Sequence, residues 1–251
     1  MLWLGIVIVM LAGFVQGVSC FGFALISLPI LSQIYPLQLV VPLIVCLSAG
    51  TNILILKNCW RQIGLQTIHL LIISSLLAAP LGTHLLLWMK ADALRLAATT
   101  CIAGFALLQL RGKQYPIRRP RLALLSVGAL SGALNASISL SGPPVALFLN
   151  NQDTPKDRFR ACITAYALIL NLVTLASYQF NGLLTPAFFE QLKWLIPSML
   201  LGTFIGGRCA SYFSEACFKR SVLMMVILLA IIGMSHALYS LLPSLLSTHY
   251  G

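Results

Sequence analysis

The sequence predicts an all-α polytopic membrane protein of about eight transmembrane helices in two tandem four-helix repeats, the first helix of each repeat broken by glycine and proline. Three observations carry that expectation. Of the 251 residues 59% are hydrophobic and only 8% charged, whereas soluble domains carry about 25% charged residues. The charges divide the chain into long runs that contain none, residues 1–56, 62–89, 96–110, 122–152, 161–189, 194–207 and 221–251. Finally, short motifs recur between the two halves in the same order.

A helix needs about 20 apolar residues to cross the hydrocarbon, and a β-barrel would show alternating strands of about 10, so these runs read as helices. The first run is long enough for two, with "SQIYPLQ" at 32–38 as the turn because Pro36 and its polar neighbours punctuate it. Helices are therefore expected near 3–31, 36–57, 66–89, 93–110, 122–149, 160–180, 187–209 and 219–242. The connections are too short to hold a soluble domain. The start lacks a basic region before its apolar stretch, so no cleavable signal peptide is expected.

"GFVQG" at 13–17 answers to "GALSG" at 128–132, "NILIL" from Asn52 to "NLVTL" from Asn171, and "LGT" at 81–83 to "LGT" at 201–203, with offsets of 115, 119 and 120. This order divides the chain into a first repeat at 1–112, a basic linker at 113–121 and a second repeat at 122–251. Four helices per half would return the chain to its starting side and make the repeats parallel; a re-entrant first segment in each half would change that parity.

The first helix of each half is interrupted, by "GVSCFGFALISLP" (17–29) and "GALNASISLSGPP" (132–144). Proline lacks an amide proton and glycine loosens the backbone. In hydrocarbon the freed amides and carbonyls need partners from protein, water or ligand. Paired interruptions at corresponding places point to a transporter's midplane site. The candidate substrate-binding residues are Gly17, Ser19, Gly22, Asn135, Ser137, Ser139, Ser141, Gly142 and Pro143. Amides at the break, a helix dipole and the hydroxyls of Ser137, Ser139 and Ser141 would hold an anion without a fixed cation. The competing reading is packing: Gly13/Gly17 and Gly128/Gly132 are small-x-x-x-small pairs, and Ser or Thr can bond back to its own helix.

Further candidates for the pathway are Asn52 and Asn171, which either glue helices or line a cavity, His84, either a packed residue or a proton sensor, and Arg208, either snorkelling or facing an anion vestibule. "KDRFR" at 156–160 reads as a solvated loop or as a basic mouth that attracts anions.

The formal charge of +11 is scattered over short loops, which suits lipid headgroups and topogenesis and excludes a nucleic-acid surface. The seven cysteines form no C-x-x-C pair, and neither metal nor cofactor is expected. Enzymes of the membrane interior need carboxylate pairs or clustered ligands, which this spacing does not supply. All five acids, Asp92, Asp153, Asp157, Glu190 and Glu215, lie in or beside expected loops. A coupled carrier would keep one at the midplane; the membrane field alone suffices to drive a monoanion outward. With eight helices the basic residues divide eight against eight, and the dense linker tilts the reading toward cytoplasmic termini.

The glycine-rich "GFVQGVSCFGFALISLPIL", the "GALSGALNASISLSGPPVALFLN" of the second half and "DRFRA" at 157–161 resemble the sulfite exporter TauE/SafE family of membrane permeases. The likeness runs in outline over nearly the whole chain, "SGPP" being its specific part. It departs from the commonest pattern at "SCFGFA", where many relatives carry a denser G-x-G-G-G run. The resemblance implies export of a small anion, particularly a sulfur-containing one such as sulfite or an organosulfonate, by a multi-pass protein of the inner (plasma) membrane. Its partners would be that anion, the bilayer and, as an open alternative, further copies of itself. An intramembrane scaffold, a carrier coupled to another ion and a channel are the rival readings.

Overall fold

The computed structural model describes residues 2–110, 120–152 and 154–212. The expected eighth helix (219–242), most of the linker and the acids Asp153 and Glu215 lie outside the described residues. Among the described residues the chain forms nine α-helices and no strand: α1 Leu2–Ser19, α2 Phe23–Leu31, α3 Leu37–Cys59, α4 Leu65–Trp88, α5 Ala91–Leu110, α6 Pro120–Ile138, α7 Gly142–Asn151, α8 Lys156–Phe180 and α9 Pro186–Tyr212. Among the described residues four stretches are long and apolar enough to cross a bilayer, Leu37–Gln62, Ile68–Trp88, Arg121–Ile138 and Lys156–Phe180.

The helix starts follow from local chemistry. Pro36 and Pro155 stand in extended conformation immediately before α3 and α8, where the missing proline amide costs nothing. Asp157 lies in the first turn of α8, where its charge suits the positive end of the helix dipole.

The two long first helices expected at 3–31 and 122–149 are each a helix followed by a returning half-helix. Cys20 and Ser139 take φ of 67° and 61°, a left-handed backbone that costs about 1–3 kcal/mol for a residue with a side chain. Gly22, at φ 115°, occupies a region that only glycine enters readily. The reversal is evident from contacts. A methyl group on Gly5 would lie 3.9 Å from Leu31 Cδ2, although about 39 Å would separate these residues on a straight helix. In the same way Ser131 Oγ donates to the carbonyl of Ser141 at 2.6 Å.

These returns settle the helix directions. Leu31 at the end of α2 lies beside Gly5 near the start of α1, α3 begins six residues later, and Gln16 further along α1 bonds Ser48 and Asn52 further along α3, so α1 and α3 run the same way. On α6, Asn135 bonds Asn171 and Thr174, and the Ala136 carbonyl accepts from Tyr178 of α8, so α6 and α8 are also parallel. Yet α3 and α8 are antiparallel: Ser48 meets Asn171, while Gly64, beyond the end of α3, meets Cys162 near the start of α8. The first helices of the two halves therefore point in opposite directions. The parallel arrangement expected from an even helix count is corrected, because each returning half-helix adds a reversal.

The interior is organised by two glycine seams around the α3–α8 contact. The most extensive packing is between α4 and α6 and between α1 and α9. A methyl group on Gly13 would sit 2.9 Å from the Met199 carbonyl, and one on Gly17 2.7 Å from that of Thr203. On the other side, one on Gly128 would sit 2.6 Å from the Leu71 carbonyl and one on Gly132 2.6 Å from Ser75 Cα. These glycines allow backbones to touch, as membrane helices require where no solvent drives association.

The directions also redistribute the charges. Among the described residues, Lys57, Arg61, Arg121, Lys156, Arg158, Arg160 and Arg208 gather at the end where α3 finishes and α8 begins. Lys90, Arg95 and Lys193 lie toward the other end, where α5 and α9 begin. For these ten described residues the uncorrected helix count gave four against six, and the observed directions give seven against three.

Candidate functional site

The two breaks come together. A methyl group on Gly142 would lie 2.5 Å from Phe21 Cβ, and both breaks line one cavity of ≈ 20 Å³ with Gln16, Ser48, Ile163 and Ala167. That is room for about one water. An oxyanion of sulfur has four or more heavy atoms, so the cavity in this conformation is too small for one and is occluded with respect to such an ion.

The half-helices α2 and α7 both begin at this cavity. The first amides of a helix have no partner within it, and α2 presents those of Phe23, Ala24 and Leu25. In α7 the prolines at 143 and 144 remove two of the corresponding amides, leaving that of Gly142. Two positive helix ends thus face one small space between them. Each is worth about 0.3–1 kcal/mol toward an anion at an exposed site and up to about 2 kcal/mol when partly buried.

Of the residues singled out from sequence, Gly22, Ser139, Ser141, Gly142 and Pro143 line the cavity. Ser141 caps no amide of its own helix. The Ser139 hydroxyl donates to the Val41 carbonyl at 3.2 Å. Ser137 donates back to Ala133 at 2.7 Å, and Ser19 to Val15 and to the Phe21 carbonyl, so both hold the turns beside the cavity. Gly17 lies in the α1–α9 seam. His84 is exposed on α4, edge-on to Trp88, and lines neither cavity. Arg208 lies over the Phe204 ring at 4.3 Å.

A buried amide chain runs beside the cavity through the α3–α8 contact. Gln16 Nε2 donates to Asn52 Oδ1 at 2.8 Å and to Ser48 at 3.1 Å, and Asn171 Nδ2 donates to Ser48 at 3.3 Å. Asn135 Nδ2 donates to Asn171 Oδ1 and to Thr174, each at 3.1 Å. Asn52 Nδ2 is fully buried and has no partner among the described residues, a donor deficit within the chain of amides. Sequence reading missed Gln16, Ser48 and Thr174. The signal was available: an offset of 119 aligns Gly13 with Gly132, Gln16 with Asn135, Cys20 with Ser139 and Asn52 with Asn171, but the glycine match at 115 hid it.

A second, larger cavity of ≈ 930 Å³ opens at the basic end. Lys57, Lys156, Arg160 and Arg208 line it with Asp157. Arg160 reaches inward from it, its guanidinium donating to the carbonyls of Val18 at 2.8 Å and Gly17 at 3.3 Å, the last turn of α1 before the break.

No cluster of His, Cys, Asp or Glu among the described residues could hold a metal. The described carboxylates, Asp92, Asp157 and Glu190, are all exposed. No curated protein and no solved structure matches the chain. The family model of the sulfite exporter TauE/SafE matches residues 5–232, and the chain belongs to that family of membrane transporters, not enzymes, which carry small sulfur-containing anions through the bilayer.

Proposed function

We propose that this permease exports a small sulfur oxyanion, sulfite or an organosulfonate, across the inner (plasma) membrane through a midplane site between two inverted repeats. The observation that carries the reading is the convergence of the α2 and α7 N-termini on one cavity. Helix ends and hydroxyls hold an anion by partial charges, and a site without a bound cation releases its ligand readily.

The repeat boundaries proposed are residues 1–112 and 122–251, joined by the basic segment 113–121. Their support is the recurrence, at an offset of 119, of the same interactions. Gln16 bonds Asn52 as Asn135 bonds Asn171, and left-handed residues stand at Cys20 and Ser139. Likewise α9 packs on α1 as α4 packs on α6. Gln16 bonds near the middle of α3, and Asn135 near the middle of α8, which favours a midplane position for the breaks. The basic end is the cytoplasmic one by the positive-inside rule, so the vestibule opens to the cytoplasm and α1, which runs the same way as α3, starts outside, the reverse of the cytoplasmic start expected from eight plain spans. An inside-negative potential then drives a monoanion outward by about 2.3 kcal/mol per 100 mV, and no coupling ion is required.

The test is efflux of sulfite, a sulfonate and chloride from proteoliposomes under an imposed inside-negative potential. Selective efflux of the sulfur anions, driven by potential at equal pH on both sides, is expected. Flux that demands a pH or sodium gradient at zero potential overturns the uncoupled mechanism, and no flux of any anion through folded, inserted protein overturns the transport reading.

A further inference from the structure

The fold is nearly symmetric about its two breaks, but its charge is not. Beside the first break, Arg160 binds the carbonyls of Gly17 and Val18. At the offset of 119 the counterpart of Arg160 is Val41, and it is the carbonyl of Val41 that meets the second break, through Ser139. The counterpart of Gly17 is Ala136, whose carbonyl accepts from the phenol of Tyr178 at 2.7 Å. The first break is therefore met by a guanidinium, and the second by the carbonyl of an apolar residue and a neutral hydroxyl. The guanidinium also lines the ≈ 930 Å³ vestibule, together with three further cations and one carboxylate.

We propose that this vestibule is an oxyanion-loading site and that Arg160 sets its specificity at the inner end. Resting on the export reading above, the inference adds where the anion is first bound and what that binding changes. A guanidinium presents a planar fork of donors that matches two oxygens of a sulfonate or sulfite. With no anion present, Gly17 and Val18 occupy that fork. An arriving oxyanion replaces the two carbonyls as its partner and frees the last turn of α1, next to the left-handed Cys20. Loading thereby loosens the break through which the anion must pass. Because the opposite route offers no cation at the equivalent position, the loading site serves one face alone.

The experiment measures half-saturating sulfite concentration in proteoliposomes of fixed protein orientation, separately at the basic face and at the opposite face. Arg160→Gln is expected to raise it about tenfold or more at the basic face and to leave the opposite face within about twofold. Arg160→Lys, which keeps the charge but cannot bridge two acceptors, is expected to fall between. No change at the basic face, or equal change at both faces, overturns the proposal. If Arg160→Gln does not fold, the lysine variant carries the same comparison. Repeating the assay in vesicles of phosphatidylcholine alone separates the free anion from an anionic lipid headgroup: an Arg160 effect that vanishes there assigns the site to lipid and overturns the proposal. Sulfite-induced thermal stabilisation, strong in wild type and lost in Arg160→Gln, reads the loading site even if transport itself fails, so the two readings fall separately.

Discussion

Gly142→Ala isolates the contact between the two breaks. The added methyl would stand 2.5 Å from Phe21 Cβ, 3.2 Å from Cγ and 3.3 Å from Cδ2. Carbon atoms rest about 3.5–4.0 Å apart, so α7 must withdraw from the first break by about 1 Å or Phe21 must move with its backbone. Overpacking of this kind costs about 1–3 kcal/mol. If the occluded state alone bears the cost, its population falls about tenfold per 1.4 kcal/mol, and exchange through that state slows in proportion. Counterflow of labelled sulfite and thermal unfolding in detergent would measure both effects. Because the nearest atom is Cβ, Phe21→Gly should restore exchange in the Gly142→Ala background, whereas Phe21→Ala should restore little. Gly104→Ala, with open space around it, is the control. Wild-type exchange and stability in Gly142→Ala would refute the apposition of the breaks.

Gly17→Ala should lower thermal stability by about 1–3 kcal/mol, since the methyl meets the backbone of Thr203, Gly206 and Gly207, while Gly207→Ala should be neutral. If Gly17→Ala instead changes only the half-saturating sulfite concentration, the glycine belongs to the pathway and not to the seam. Asn171→Leu should cost about 1–3 kcal/mol by leaving Asn135 without one of its acceptors in a buried site. Adding Asn135→Leu should cost less than the sum, because the second substitution removes the donor left unpaired, and strict additivity in unfolding measurements would argue against the chain of amides. In a chain without its native cysteines, Lys57→Cys should react with a membrane-impermeant maleimide only from the cytoplasm and Lys90→Cys only from outside; the reverse pattern would sink the orientation.

The helical membrane class, most helix positions and the sites of both interruptions were legible, because each depends on local properties: charge-free length, and glycine or proline within it. Direction was not. Whether "SCFG" bends a helix or turns it back depends on what receives α2, and its partners come from α1 and α3 in the folded chain. That single difference propagated, turning parallel halves into opposed ones and, among the ten described basic residues, a division of four against six into one of seven against three. Hydroxyl chemistry failed for a related reason. Ser19, Ser137 and Ser141 look equivalent in sequence, yet Ser19 and Ser137 bond to their own turns while Ser141 lines the cavity. Arg160 was visible only as part of "KDRFR"; its role depends on the last turn of α1, more than 140 positions away.

The opposed halves also bear on why the centre needs no fixed charge. In an inverted pair, two half-helices that start at the midplane necessarily approach it from opposite sides, so their positive ends meet there and reinforce one another. A bound arginine at that point would add attraction but would also hold the anion, since a buried ion pair is costly to break. Placing the guanidinium at the edge, where it already has the Gly17 and Val18 carbonyls as alternative partners, lets the anion be exchanged for those carbonyls without leaving a buried charge uncompensated. On the proposed export, the anion would then move from a strong, charged site to a weaker dipolar one, with the membrane potential supplying the difference. On this reasoning adding a cation at the centre should tighten sulfite binding and slow its export, whereas removing the one at the edge weakens loading alone.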